Sequence, residues 1–233
     1  MSVVWVPHDR AWKVARSRIR NTKVVLDVGS GRRPQSWVKA QVHICVDPHL
    51  PYLLRLMGSR RYRSRHVLLN CEWDTAMKLL PSDSVDSVLA FDFIEHLDKE
   101  SGHRFLREAK RVARRQIVVF TPLGFYPQSY KPGEKDSLGM DGASWQTHVS
   151  GWDVDDFKDG WDLVCCEEFH KVDQYGQLLE RPHGAFWAIR NLPIPKAASE
   201  HNYLRRFQRA LHRIFSRQHL GDQSSKSNIA HQL

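Results

Sequence analysis

Short apolar segments rich in β-branched residues alternate with segments of helical periodicity along the first 190 residues. Most of the apolar segments end near glycine, proline or aspartate, which are common where a strand gives way to a turn. This alternation predicts a three-layer α/β fold with a mostly parallel sheet. The predicted strands cover residues 24–28, 42–46, 67–69, 85–91, 117–120, 162–169 and 184–190, and the predicted helices cover residues 9–19, 51–57, 99–114 and 153–158.

A long segment after the fifth predicted strand, from residue 123 to about residue 150, has no periodicity. Loops of this length inside a compact domain are usually functional or disordered. Its aromatic side chains either form a wall against an acceptor molecule or anchor the loop to the core. They are Phe125, Tyr126, Tyr130, Trp145 and Trp152.

The pattern divides the chain into an N-terminal helical extension (1–21), a main domain (22–195) and a basic tail (196–233). Between residues 203 and 217 of the tail, apolar side chains share one side of a helix and arginines share the other. Three partners remain open for this amphipathic helix. They are an anionic membrane surface, the main domain, and a second copy of the chain in a homodimer.

Positive charge is concentrated in the tail. The formal net charge of the chain is +9, and residues 196–233 contribute +5 through seven Lys or Arg and two Asp or Glu. The remaining +4 is spread over the first 195 residues, which disfavours nucleic acid as a partner of the main domain. No apolar segment approaches the roughly 20 residues that span a bilayer. We therefore expect a cytoplasmic protein, peripheral to the inner face of a membrane if the tail binds lipid.

The first strand runs into a glycine turn, Val25-Leu26-Asp27-Val28-Gly29-Ser30-Gly31. Glycine permits both the turn and the close approach of a ligand to the backbone. Asp47 ends the next strand, where a carboxylate can accept two hydrogen bonds from a ribose diol. Together these features indicate an adenosine cofactor. A dinucleotide-binding turn would carry a third glycine where this chain has Pro34, whereas S-adenosylmethionine has no phosphate and depends less on that glycine.

The motifs taken in order resemble one family, the class I S-adenosylmethionine-dependent methyltransferases of the small-molecule type. The resemblance covers about residues 22–190. It implies a Rossmann-like three-layer sandwich with a mostly parallel, seven-stranded sheet and an antiparallel last strand. The series consists of the glycine turn, Asp47, Pro81-Ser82-Asp83-Ser84-Val85-Asp86-Ser87-Val88, Glu95-His96-Leu97 and Phe120-Thr121-Pro122.

By this resemblance, the cofactor contacts lie at the ends of the first four strands. They are Asp27, Gly29, Ser30 and Gly31 for the methionine end, Asp47 for the ribose, Glu72 and Trp73 for the adenine, and Phe91 and Asp92 for the sulfonium. Asp74 is the alternative to Glu72. The sequence departs from the family pattern at Arg33, where a third glycine is common, and this leaves the shape of the first loop open.

Two histidines are candidates for the chemistry. Methyl transfer requires the nucleophile, the methyl group and the sulfur in line, and often the removal of a proton from an oxygen. His96 follows the fourth strand and His148 lies in the long loop, so either can serve as the base. Glu95, beside His96, is the third catalytic candidate. The structural alternatives are a helix-start histidine paired with a carboxylate for His96, and a helix-capping histidine for His148.

The same region suggests a metal site. Asp92, Glu95 and His96 have the i, i+3, i+4 spacing that places side chains on one face of a helix. With His148 they form an oxygen and nitrogen cluster suited to a divalent ion. Similar Glu-x-x-Glu-His clusters occur in small-RNA 3′-terminal ribose methyltransferases and in some quinone-biosynthesis O-methyltransferases. Because the first residue here is Asp, and Glu-His also follows this strand in metal-free relatives, the sequence favours catalysis without a metal.

The sequence therefore predicts transfer of a methyl group from S-adenosylmethionine to an oxygen, rather than a nitrogen, of a small molecule. A saccharide or a lipid-linked glycan is the first candidate acceptor. Two alternatives remain, an RNA ribose methyltransferase and a non-catalytic cofactor-binding partner subunit. The fourth strand is followed neither by the Asn/Asp-Pro-Pro-aromatic box of amino-methylating DNA enzymes nor by the Pro-Cys of cytosine C5 enzymes.

Overall fold

Eight strands form one sheet in the computed structural model, which describes residues 2–60, 62–158 and 160–193. The strand order is β1-β7-β8-β6-β5-β2-β3-β4, and only β8 runs antiparallel to its neighbours within those ranges. The strands are β1 (Ser2–Trp5), β2 (Val24–Val28), β3 (Val42–Val46), β4 (His66–Leu69), β5 (Val85–Phe91), β6 (Ala113–Pro122), β7 (Asp162–Val172) and β8 (Leu178–Asn191). The α-helices are α1 (His8–Arg18), α2 (Leu50–Met57), α3 (Trp73–Leu79) and α4 (Lys99–Val112), and short 3-10 turns cover Ile94–His96, Ala143–Trp145 and Val154–Asp156.

The prediction of seven strands is wrong by one, because the described residues before α1 form β1. This strand pairs in parallel with β7 at the edge of the sheet. Its edge position leaves Val3 38% exposed and Trp5 47% exposed, so the segment lacks the alternation of a half-buried strand. The mostly parallel sheet and the antiparallel last strand are confirmed.

Helices cover both faces of the sheet, as the three-layer prediction requires. Ala11 and Ala15 of α1 pack on one face, and Phe105 of α4 packs on the other. Successive residues of β7 divide between the two faces, since Cys165 belongs to the α4-side core and Cys166 to the α1-side core. The core is thus split by a buried sheet, and the site must lie at the ends of its strands.

One helix was not predicted, and two predicted helices are shorter than expected or are not α-helical. Periodicity did not predict α3, which has only seven residues and buries Trp73, Ala76 and Met77. The helix predicted for 153–158 is a single 3-10 turn. The helix predicted for 99–114 ends at Val112, because the chain passes directly into β6 at Ala113.

Residues 194–233 lie outside the described residues. They include the predicted domain boundary at 195 and the amphipathic helix at 203–217. In the part of the chain that the structure describes, no helix is long and apolar enough to cross a membrane.

The long loop at 123–152 is held over the carboxyl ends of the central strands. The backbone N–H groups of Val149 and Ser150 donate to the carbonyl oxygen of Glu95, just beyond β5. The Asp136 carboxylate accepts the backbone N–H groups of residues 138, 140 and 142, and also the hydroxyl of Tyr52 in α2. These bonds place the loop against both the β5 end and α2.

Candidate functional site

The glycine turn after β2 exposes its backbone at the edge of the sheet. Gly29 and Gly31 have φ values of +67° and +55°, which side chains rarely adopt. A Cβ on Gly29 would lie 2.7 Å from the Phe93 ring, whereas a Cβ on Gly31 would meet nothing within 4 Å. Gly29 therefore serves packing, and Gly31 borders open space that a ligand can fill.

Asp47, directly after β3, braces this turn. One of its carboxylate oxygens accepts the N–H of Gly31 at 2.9 Å, and the other accepts the N–H of His49 at 2.9 Å. Only 5% of Asp47 is exposed, and burial raises the pKa of its carboxyl. Each oxygen keeps a lone pair, so this carboxylate is suited to accept the two hydroxyls of a ribose.

Two neighbouring cavities open beside the turn. The first has a volume of about 230 Å³ and the second a volume of about 440 Å³. Both are bordered by Gly29, Asp92, His96 and Gln146. A ligand that fills the first cavity therefore reaches the second at Asp92 and His96.

Eight of the nine predicted cofactor residues line these cavities. Asp47, Glu72 and Trp73 border the first, Ser30, Gly31 and Phe91 border the second, and Gly29 and Asp92 border both.

Asp27 is the ninth and borders neither cavity. It is 1% exposed, and its Oδ2 accepts the N–H of Gln35 at 2.7 Å and lies 2.9 Å from Nε2 of His43. From this position it supports the loop beyond the glycine turn. Asp74, the sequence alternative to Glu72, also lies outside both cavities and pairs with Lys78 at 2.8 Å.

Asp92 has an unusual backbone at the junction of the cavities. Its φ is +47°, which is rare for a residue with a side chain and is often found at functional sites. Its N–H donates to the carbonyl of Phe120 at 3.0 Å. Asp92 is exposed to the cavities, but the surrounding protein partly desolvates its carboxyl. This desolvation and the negative charge of Glu95 raise its pKa.

Glu95, His96 and His148 come together near Asp92. A carboxylate oxygen of Glu95 and one nitrogen of each imidazole all lie within 4.8 Å of one another. Asp92 is not part of this cluster of three. The prediction that Asp92, Glu95 and His96 share one helix face is wrong, because residues 94–96 form a 3-10 turn and Asp92 before it has a positive φ.

Both imidazoles are oriented by backbone carbonyls. Nδ1 of His96 lies 3.0 Å from the carbonyl oxygen of Thr147, and Nδ1 of His148 lies 2.8 Å from that of Tyr126. A carbonyl only accepts, so each Nδ1 carries the hydrogen and each Nε2 presents a lone pair. Burial lowers the pKa of His96 and lowers that of His148 to about 4, so both rings are neutral near pH 7.

Glu95 is buried, with 2% exposure. Its Oε2 accepts the hydroxyl of Thr121 at 3.0 Å, while its Oε1 is buried without a hydrogen-bond partner. Burial raises the pKa of this carboxyl.

The loop aromatics combine the two predicted roles. Tyr126 lines the second cavity and also donates its hydroxyl to the carbonyl of Val172. Trp145 lines the first cavity and is 43% exposed. Trp152 is fully buried and anchors the loop by donating to the carbonyl of Ile94 at 3.2 Å.

Sequence reasoning missed several polar residues of the second cavity. Gln128 and Gln146 come from the long loop, and His170 and Gln174 come from the β7–β8 hairpin. No local motif marks them, because tertiary packing of the loop and the hairpin brings them to the cavity.

The fold is that of the S-adenosylmethionine-dependent methyltransferases. A methyltransferase of this kind from Archaeoglobus fulgidus is 17% identical to the chain, with 78% of this chain and 92% of that chain covered and a TM-score of 0.50. The YcgJ protein from Bacillus subtilis is 12% identical, with coverages of 79% and 98% and a TM-score of 0.53. No family model and no curated protein matches the sequence.

Proposed function

We propose that this protein transfers a methyl group from S-adenosylmethionine to an oxygen of a small molecule. The observation that carries the proposal is the junction of the two cavities at Asp92 and His96. The first cavity has a carboxylate suited to a ribose, and the second has histidines suited to a hydroxyl. When bound, the cofactor supplies the methyl group on its sulfonium.

The residues of the first cavity fit the adenosine part of this cofactor. Asp47 offers two carboxylate oxygens to the ribose. Glu72 and Trp73 border the same cavity, where the adenine would lie. The open space at Gly31 and the buried, unpartnered Oγ of Ser30 suit the methionine end. We therefore assign these residues to cofactor binding and Asp27 to support of the loop beyond the glycine turn.

The residues of the second cavity favour an oxygen nucleophile. The free Nε2 of His96 or of His148 can accept the proton of a hydroxyl held near Asp92. Glu95 acts as a positioning residue in this proposal, because its carbonyl fixes Val149 and Ser150 next to His148.

A saccharide is the acceptor class that the cavity wall supports best. The wall is rich in uncharged side chains that both donate and accept hydrogen bonds, with a carboxylate that accepts them beside these, and sugar hydroxyls also do both. The polar groups are Gln35, Gln128, Ser137, Gln146, Asp173 and Gln174.

Calorimetric titration with S-adenosylmethionine and S-adenosylhomocysteine tests the cofactor part. Wild type should bind both, and Asp47→Ala should bind about 10- to 100-fold more weakly after losing the hydrogen bonds to the ribose. Asp74→Ala is the matched control, because Asp74 lies outside both cavities. A folded wild type that binds neither compound would overturn the proposal.

Labelled methyl transfer to a panel of saccharides, lipid-linked glycans and RNA then tests the acceptor. Product with a saccharide supports the proposal. Transfer to RNA, with steep salt dependence, would favour the RNA ribose alternative. Cofactor binding with no transfer to any acceptor would favour a non-catalytic partner subunit.

A further inference from the structure

We propose that Glu95, His96 and His148 bind a divalent transition-metal ion. Sequence reasoning favoured catalysis without a metal, and three structural observations argue for the ion. The first is proximity, since one donor atom from each residue lies within 4.8 Å of the other two. Donor atoms that share an ion at about 2.0–2.2 Å lie about 3–4.3 Å apart, so small side-chain rotations complete the site.

The second observation is the orientation of the imidazoles. Each donates Nδ1–H to a backbone carbonyl, His96 to Thr147 and His148 to Tyr126. Metal-binding histidines are typically held in this way, because the outer hydrogen bond fixes the tautomer and aims the other nitrogen at the ion. Both rings border the second cavity, so an ion can reach them.

The third observation is an unpaired oxygen. Thr121 fixes the Glu95 carboxylate through Oε2, and Oε1 is buried without a partner. Burying a carboxylate oxygen with no partner costs free energy. A cation bound beside the two imidazoles would supply that partner.

The donor set indicates the class of ion. Two imidazole nitrogens and one carboxylate oxygen suit Zn²⁺, Fe²⁺, Co²⁺ or Mn²⁺, whereas Mg²⁺ and Ca²⁺ prefer oxygen alone. Three protein ligands leave positions open, as in catalytic rather than structural sites. Asp92 stays outside the set.

The consequence for catalysis rests on the function proposed above. A bound ion would occupy the Nε2 lone pairs of both histidines, so it would replace them in activating the acceptor. It would make a coordinated hydroxyl a stronger acid, and the proton would pass to the carboxylate of Asp92, which borders the same cavity. Coordination would also fix the acceptor oxygen beside the junction of the two cavities.

Metal binding itself is tested on the full chain without cofactor or acceptor. The protein is treated with a chelator, dialysed and titrated with Zn²⁺, Mn²⁺ and Co²⁺ by calorimetry, and the visible spectrum of bound Co²⁺ reports its ligands. We expect one ion per chain. Glu95→Gln and His148→Gln should each weaken binding about 10-fold or more, and His103→Gln on α4 should bind like wild type.

A folded wild type that binds none of the three ions would overturn the proposal, as would equal affinity in wild type and His148→Gln. Circular dichroism checks the fold of each variant. If Glu95→Gln does not fold, His148→Gln in the loop decides the result. The titration with S-adenosylmethionine is a separate measurement, so a failure of the metal proposal is distinguishable from a failure of the proposed function.

Discussion

The hydroxyl of Tyr52 in α2 donates a hydrogen bond to the buried carboxylate of Asp136 in the long loop. Burial alone would raise the pKa of Asp136, but this bond and those from the backbone N–H groups of residues 138, 140 and 142 lower it overall. The loop residues that border the first cavity follow directly, at 144–146. The pair therefore ties the wall of the cavity to the domain.

Tyr52→Phe tests whether the hydrogen bond between Tyr52 and Asp136 holds the loop in place. The change removes one donor from a buried carboxylate and should cost about 1–3 kcal/mol of unfolding free energy. It should also increase proteolytic cleavage within 123–152. Denaturant unfolding and limited proteolysis measure the two effects. Tyr175→Phe, which removes an exposed hydroxyl bonded to Glu134, should change neither; equal behaviour of the two variants would contradict the role of Tyr52.

Gly29→Ala and Gly31→Ala should separate packing from ligand binding. Both place a side chain at positive φ, which costs about 1–2 kcal/mol. Only Gly29→Ala also pushes a Cβ into the Phe93 ring, so it should lose more unfolding free energy. Gly31→Ala should stay folded but lose affinity for S-adenosylhomocysteine. Thermal unfolding and calorimetry distinguish the two, and normal cofactor affinity in Gly31→Ala would contradict the assignment.

Asp86 in β5 should be a large contributor to stability. Its carboxylate is 1% exposed, accepts the N–H groups of Lys23 and Val24 at 2.9 Å, and pairs with Arg114 at 2.6 Å. Asp86→Ala removes a buried carboxylate that accepts two backbone N–H groups and pairs with Arg114, and should cost about 3–5 kcal/mol. Asp74→Ala, at an exposed ion pair, should cost under about 1 kcal/mol. Chemical denaturation of both variants provides the comparison.

His170 should make stability fall in acid. Burial, followed by the charge of His183, lowers the pKa of His170 from 6.5 to about 4. Between pH 6.5 and 4 the histidine is protonated in the unfolded chain but neutral in the folded chain, so protonation favours unfolding. The neutral ring therefore makes its full contribution to the free energy of unfolding above pH 6.5, and this contribution is lost as the pH falls towards 4. Because the ring is partly exposed, we expect a loss of about 1–2 kcal/mol.

Unfolding of His170→Phe and of wild type across this pH range measures the difference. The variant should show the flatter curve, since phenylalanine can stack on Tyr126 without titrating. His103→Gln serves as the control histidine. Parallel curves for His170→Phe and wild type would show that His170 makes no such contribution.

Sequence patterns predicted the central sheet well because it is buried on both faces. The five residues of β2 and the seven of β5 are all buried, and the predicted limits of both strands match the structure. The edge strand β1 has no such pattern. The seven residues of α3 complete too few turns for helical periodicity to show.

Sequence position accounts for the location of the candidate residues that directly follow strands. Asp47 and Asp92 stand directly after β3 and β5, so their place at the sheet edge follows from topology. The position of His148 beside His96 depends on backbone hydrogen bonds of a loop without periodicity. The polar wall of the second cavity depends on how the β7–β8 hairpin packs, which no local motif encodes.

Because the loop at 123–152 supplies one of its ligands, the proposed ion should affect the rate at which the cofactor is released. The loop contributes both His148 and the cavity wall at 144–146, whereas Glu95 and His96 belong to the body of the domain. An ion bound to His148 and to the other two ligands would hold the loop against the domain. Departure of the cofactor would then slow when the ion is bound and quicken when it is removed, even though none of the three ligands is assigned to the adenosine.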